Sequence, residues 1–240
     1  MAERVLISVV IPTLNEAGCV QAAIASADGE GIEVIVADGG SEDGTVALAQ
    51  AAGARVIASP DGRALQQNHG AAVGHGDAFL FLHADTLLPP CWAEEVRAIL
   101  ADPAVALGAF KLSLAGATRA ERVIAWAANR RAHWLGLPYG DQALFLRRET
   151  FDRLGGFQPL PIMEDWDLAR RARRHGRVLL ADAAVVTSPR RWRRLGPVRT
   201  TLINAAMVAG FTIGMGPDRL ARFYRSRAAR SGLRSGRRSP

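Results

Sequence analysis

The chain has 240 residues, 49% hydrophobic and 22% charged, with a formal net charge of +7. That balance is ordinary for a globular protein and gives enough chain for one large α/β domain, or a domain with a small appendage. Only two cysteines occur, Cys19 and Cys91, too far apart in sequence to make a metal-binding spacing. They read as reduced core thiols of a cytosolic protein.

The start, "MAERVLISVVIP", reads as an opening strand and not as a secretory leader. The strand runs from Arg4 to Pro12, and "TLNEAG" turns the chain into a helix over Ala17 to Ala27. A second strand, "EVIVAD", runs from Glu33 to Asp38. "GGSEDGTVALAQAAG" gives a loop and a helix closed by Gly53, and "ARVIAS" gives a third strand. "DGRALQQNHGAAVGHG" is another loop and helix, and "DAFLFLHAD" is a fourth strand that carries His83 and Asp85. Short apolar strands alternating with helices predict a mostly parallel central sheet with helices on both faces. Right-handed crossovers then bring the loops after the strands to one carboxyl edge, where such sheets bind ligands.

The second half is less regular. "AVALGAFKLSL" and "ALFLRR" read as strands flanking a helix over Thr118 to Leu135. "FDRLGGF" is a short helix, "MEDWDLARRARRHG" a helix ending at Gly176, and "RVLLAD" and "AAVVTS" are two more strands. "TTLINAAMVAGFTIGMG", after Pro197, is apolar but too short to span a bilayer, which takes about 20 residues. Packing on the core and lying on a membrane surface are both open for it.

The boundaries follow. Residues 1–195 form the main domain, with a nucleotide-binding half at 1–102 and an acceptor half at 103–195. A helical segment covers 196–225, and an arginine-rich tail expected to be disordered covers 226–240. Lys111 is the only lysine, and arginines crowd the chain after Arg170. Arginine-rich segments suit phosphate, anionic lipid or nucleic acid. No DNA- or RNA-reading motif is present, so a nucleic-acid partner is not expected.

Three acidic positions fall at predicted loops: Asp38, Asp85 and the pair Glu164-Asp165. Residues two apart on a strand share a side, so His83 and Asp85 are expected to face one ligand together. A carboxylate with an imidazole nearby suits a divalent cation, Mn²⁺ or Mg²⁺, bridging to a diphosphate. Read alone, Asp85 or Thr86 also suits a turn or cap before the next helix. No G-x-G-x-x-G follows the first strand, and no G-x-x-x-x-G-K-[ST] occurs, which argues against a dinucleotide oxidoreductase or a P-loop NTPase.

"ISVVIPTLNEA", "VIVADGGSEDGT", "FLFLHADTLLPP" and "MEDWDL", in this order, resemble the family 2 glycosyltransferases of GT-A fold. "GRALQQNHGA", "HADT" and "YGDQALFLRR" further resemble short bacterial members known as radical-SAM/selenodomain-associated, or arsenosugar-biosynthesis, glycosyltransferases.

The resemblance implies an α/β GT-A domain and an inverting, metal-dependent transfer of a sugar from a nucleoside diphosphate to a small-molecule or lipid hydroxyl. It implies a nucleoside site at Pro12, Thr13, Asn15, Glu16, Asp38 and Gly39, a diphosphate contact at Arg63, and a metal ligand at Asp85. The family's Asp-x-Asp is His83-Ala84-Asp85 here, so His83 bonds the ribose, touches the metal, or only finishes the strand. Glu164-Asp165 takes the place of the catalytic acids, with Asp165 as the base and Trp166 against it. Tyr139, Asp141 and Trp166 take the sugar and acceptor side. Arg190 and Arg191 reach the diphosphate or lie on the surface. A UDP-sugar is favoured over a GDP-sugar by family habit. The expected location is cytoplasmic, with room for membrane contact through the C-terminal segment. Two rivals stand beside this reading, a sugar nucleotidyltransferase and a non-catalytic nucleotide- or membrane-surface-binding protein. The loop "PTLNEAG" lacks the glycine-rich, arginine-containing form of the first rival.

Overall fold

The structure, a computed structural model, describes residues 5–224 and 226. The expected tail at 226–240 lies outside these, apart from Ser226. Strands β1 (Ile7–Thr13), β2 (Ile32–Asp38), β3 (Arg55–Ala58) and β4 (Ala78–Phe81) are the first four in chain order. Their β-branched and aromatic residues fit a pleat buried on both faces. β1 pairs in parallel with both β2 and β4, and β2 with β3. Helices α1 (Val20–Ala27), α2 (Thr45–Ala51) and α3 (Arg63–Val73) make the crossovers. α3 lies tight on the sheet, because a Cβ at Gly70 would come within 2.3 Å of Val10 Cγ1.

The rest of the chain extends the same sheet. β5 (Thr86–Leu87), β6 (Val105–Leu114), β7 (Leu144–Arg147) and β8 (Arg177–Thr187) complete an eight-stranded order, β3-β2-β1-β4-β7-β6-β8-β5. β7 runs antiparallel to β4 and β6, β5 runs antiparallel to β8, and β6 pairs with β8 in parallel. The sheet is thus mostly parallel, as expected, and one sheet joins the two halves. The two late strands "RVLLAD" and "AAVVTS" are a single strand, β8, carried past an irregularity in its register with β6.

Helices cover both faces. α1, α2 and α4 (Trp92–Leu100) close one core with Ile24, Ala49, Trp92 and Val96. α3, α6 (Arg148–Leu154) and α7 (Glu164–Ala172) close the other with Ala71, Phe151 and Leu168. α5 (Arg119–Leu135) begins at a capping box in which Thr118 and Glu121 bond each other's backbone N–H, and it ends at left-handed Gly136. α8 (Arg190–Leu195) and α9 (Pro197–Thr212) follow β8. Ile203 and Met207 of α9 pack with Met163 and Trp166, so this apolar segment has a core-facing side. Among the described residues no helix is long and apolar enough to cross a membrane.

One local expectation fails. β4 ends at Phe81, so His83 and Asp85 do not share a strand face. Leu82 N still donates to Val10 O, but beyond it the chain turns, with Thr86 N donating to His83 O at 3.0 Å. On one side the pairing ends with the strand, β7 reaching only as far as Leu144 opposite Phe81, while on the other β1 runs on to Thr13 without β4.

Candidate active site

The carboxyl ends of β1 and β4 open onto a cleft of about 850 Å³. It is large enough for a nucleotide-sized ligand. Pro12, Thr13, Glu16, Arg63, His83, Asp85, Tyr139, Asp141, Glu164 and Asp165 all line it. A smaller cavity of about 350 Å³, beside Asp28, Pro89 and Arg97, contains none of them.

Asp38 and Gly39 do not line the cleft. Asp38 is buried behind Thr13, whose hydroxyl donates to it at 3.0 Å. Burial alone would raise this carboxyl. Donation from the Ser41 hydroxyl and N–H, from Gly40 N and from Thr13 outweighs burial and holds it below the ordinary carboxylate range. Both oxygens are therefore engaged by the protein, and Asp38 orients Thr13 instead of facing the cleft. Gly39 is pressed against α3, where an added Cβ would meet Gln66 Nε2 at 3.1 Å. Gln66 in turn donates to Thr13 O at 2.7 Å and Ala37 O at 2.9 Å, tying the ends of β1 and β2 together. Asn15 also stays off the lining. Its N–H donates to Ser41 Oγ and its Oδ1 accepts from Glu42 N, so it braces one loop against the other.

Asp85 sits in the turn after β4. The Arg190 guanidinium stands 3.2 Å from Asp85 and 2.9 Å from Glu16, bridging the two carboxylates. Ser188 N donates to Asp85 O at 3.0 Å, which straps the start of α8 onto this turn. Arg191 has no described side chain, so its expected contact falls outside what is described. Trp192, one residue on, lines the cleft at 7% exposure, and its buried indole N–H has no acceptor among the described residues. That group was not legible beforehand. "RRW" in the sequence does not tell which ring turns inward.

α7 opens with left-handed Met163 and then Glu164, Asp165 and Asp167 in its first turn, where acids favour the helix dipole. Asp165 accepts from Gly140 N at 2.6 Å and from Trp166 N at 2.6 Å. Gly140 belongs to the short turn Gly140–Gln142, and an added Cβ would lie 2.9 Å from His83 Nε2 and 3.1 Å from Asp165 Oδ2. Only glycine lets the imidazole and the carboxylate close on one backbone position. Glu164 faces Arg63 at 3.9 Å across the cleft. Burial, and then the neighbouring charge of Asp165, push Glu164 up to about 7 against the pull of Arg63.

Trp166 does not reach the cleft either, although it was expected on the sugar and acceptor side. It is 4% exposed and packs edge-on to Phe211 beneath α9. Successive helix residues turn by about 100°, so pointing Asp165 at the cleft turns Trp166 away. Tyr139 does line the cleft, with Arg131 stacked 3.5 Å over one face of its ring. The C-terminal segment adds Asn204, Met207, Asp218 and Tyr224, which no local motif marked.

Among the described residues the lining holds seven carboxylates (Glu16, Asp61, Asp85, Asp141, Glu164, Asp165, Asp218) and one guanidinium, Arg63. Among the described residues no group of three or more His, Cys, Asp and Glu side chains is placed to hold a metal. The donor set still fits a hard cation held by one or two carboxylates and completed by phosphate oxygens. Asp85 and Glu16 are already drawn to one positive charge, that of Arg190.

Comparison with known proteins agrees with this geometry. The family description "Glycosyl transferase family 2" matches residues 8–161. The mannosyltransferase PcManGT from Pyrobaculum calidifontis, solved with GDP-Man and Mn²⁺, superposes at TM-score 0.62 and 19% identity, covering 100% of this chain and 77% of that one. S. aureus TarS 1-349 superposes at 0.59 and 17% identity, covering 77% of this chain and 61% of that one, so the match takes in less than two thirds of TarS 1-349. Glucosyl-3-phosphoglycerate synthase from Mycobacterium tuberculosis, solved with Mn²⁺, UDP and glucosyl-3-phosphoglycerate, superposes at 0.54 and 22% identity, covering 76% and 72%. At these identities the likeness is one of fold. A search of the curated proteins finds no match.

Proposed function

This chain belongs to glycosyl transferase family 2, and we propose that it moves a sugar from a nucleoside-diphosphate donor to an acceptor hydroxyl, with inversion. The observation that carries the reading is the convergence of Arg63, Asp85 and Asp165 on one cleft whose lining is heavily acidic. A diphosphate is repelled by that lining unless a cation accompanies it. Asp85, with Glu16 beside it, would hold a divalent cation, Mn²⁺ or Mg²⁺, which supplies charge neutralisation at the diphosphate.

Each residue then has a task. Pro12, Thr13 and Glu16 border the nucleoside, with Thr13 held by Asp38. Arg63 bonds the diphosphate and balances the charge that grows on it as it leaves. Asp165 takes the proton of the acceptor hydroxyl while that oxygen attacks the anomeric carbon. The bond to the diphosphate breaks on the opposite face. Tyr139 and Asp141 border the sugar and the acceptor, which is a small molecule or a lipid.

A second reading of the base has its own support. Glu164 is the carboxyl pushed upward, and a base poised near neutral pH transfers protons well. Its ion pair with Arg63 and its depth favour a role at the diphosphate instead. The subgroup named for radical-SAM and arsenosugar chemistry rests on the motifs "HADT" and "YGDQALFLRR" and stands as a proposal. So does a UDP donor. Among the similar structures one contains UDP and another GDP-Man.

The test is a panel of UDP- and GDP-sugars screened for hydrolysis with and without Mn²⁺. Mn²⁺-dependent release of one nucleoside diphosphate is expected. Release of pyrophosphate from sugar phosphate and a nucleoside triphosphate would support the nucleotidyltransferase rival. Nucleotide binding without turnover under any acceptor would leave the non-catalytic one.

A further inference from the structure

The seventeen residues of α5 span about 25 Å. Their inner side is spent on the fold. Ala125 and Ala132 are buried, and Asn129 bonds Leu112 N and O. The outer side is unusual for a water-facing helix. Val123 is 62% exposed, Trp126 61% and Trp134 70%. Arg130 lies between the two indoles, its guanidinium 5.5 Å from one ring and 5.2 Å from the other. Positions 123, 126, 130 and 134 follow the helical repeat, so these side chains form one stripe. Single exposed apolar residues need no explanation, but a contiguous stripe with two tryptophans marks a contact surface.

We propose that this stripe docks the protein on an anionic lipid bilayer surface. The occupant is argued from charge and side-chain type. Arg119 and Arg122 are exposed alongside Arg130, and the only acid of the helix, Glu121, is buried and paired with Arg193. The outward face therefore carries cations and no carboxylate. Tryptophan favours the boundary between lipid chains and headgroups, and arginine lays its stem on apolar groups while its head stays at the phosphates. A helix of this make-up lies flat in the interface. A second copy of this chain is the poorer occupant, because a two-fold contact would set the arginines of one stripe against those of the other. The neighbouring α9 has no acidic residue and leaves Leu202 65% exposed. Arg131, on the inner flank of α5, stacks on Tyr139 of the cleft, so the helix that carries the stripe is tied to the cleft wall.

The docking is independent of the transferase reading and is scored without any donor. The full chain is mixed with vesicles of phosphatidylcholine and phosphatidylglycerol, or of phosphatidylcholine alone, and sedimented. Wild type is expected to partition onto the anionic vesicles and to come off at high salt. Trp126→Ser with Trp134→Ser is expected to weaken partitioning about tenfold while the arginine-rich tail stays intact. Brominated lipid is expected to quench wild-type tryptophan emission, and melting curves check that the variant is folded. No partitioning of wild type would overturn the proposal. So would partitioning that the double substitution leaves unchanged, which would assign it to the tail or to α9. A wild-type dimer that the substitution converts to monomer, by sedimentation velocity, would make the stripe an interface between copies and equally overturn it.

Discussion

Arg190 and Asp85, 105 positions apart in sequence, meet at 3.2 Å, with the same guanidinium nitrogen 2.9 Å from Glu16. A side-chain cation thus rests between the two carboxylates proposed above to hold a divalent cation. Donation to Glu16, offset by partial burial, and donation to Asp85 raise the guanidinium further above its ordinary range. The ion stays charged at every working pH.

Arg190→Ala removes this competitor. Binding of Mn²⁺ to the nucleotide-free protein is expected to tighten by roughly two- to fivefold, as suits a pair that is partly exposed. Titration followed by electron paramagnetic resonance of free Mn²⁺ reads it. Asp85→Asn is expected to abolish the Mn²⁺ dependence of nucleoside-diphosphate binding by calorimetry. An unchanged titration would remove Asp85 from the metal site.

Asp165→Asn should keep donor binding and lose transfer by about 10²–10⁴-fold, the usual worth of a general base. Glu164→Gln should instead weaken donor binding through Arg63. Full loss of transfer in Glu164→Gln with intact transfer in Asp165→Asn would exchange the two roles.

Glu164 also makes stability depend on pH. Its folded value is raised, from 4.5 to about 7, so the folded state holds this proton more tightly than the unfolded chain. The stabilisation is full below about 4.5 and is lost as pH rises through about 7. Glu164→Gln removes the effect. Between these limits the variant should gain progressively on wild type as pH rises. Thermal melts at stepped pH give the difference, and parallel curves for the two proteins would refute it.

Gly140→Ala tests the close approach of His83 and Asp165. The added carbon would lie 2.9 Å from the imidazole and 3.1 Å from the carboxylate. The variant should lose about 1–3 kcal/mol of stability and turn over more slowly, with donor affinity changed less. Wild-type kinetics in Gly140→Ala would show that neither side chain has to hold its place.

The sequence by itself determined the sheet. Short runs rich in β-branched or aromatic residues, such as "ISVVIPT" and "AFLF", bounded by turn signals and alternating with helical patterns, read as strands covered on both faces. Loops carrying Asp85 and Glu164-Asp165 then fall at strand and helix ends, and tertiary structure brings both into one cleft. What local pattern misjudged was where each side chain ends up. His83 and Asp85 looked like strand residues because the apolar run enters them, but β7 stops opposite Phe81 and the chain turns, with Thr86 N donating to His83 O. Asp38 and Trp166 sit next to positions that face the cleft. One hydrogen bond to Thr13 and one step of helix rotation turn them away from it.

Only the tertiary structure decided the contacts between distant segments. Arg190 reaches Asp85 because β8 runs beside β5 and delivers Ser188 to the Asp85 turn. Glu164 is raised because α7 is sunk beneath the cleft beside Asp165, a matter of depth that no motif encodes. The Trp126–Arg130–Trp134 stripe has helical spacing in the sequence, yet the same spacing serves a buried face equally well. Which side of α5 meets the sheet and which meets its surroundings was settled by Asn129, whose amide bonds Leu112 and fixes the rotation of the helix.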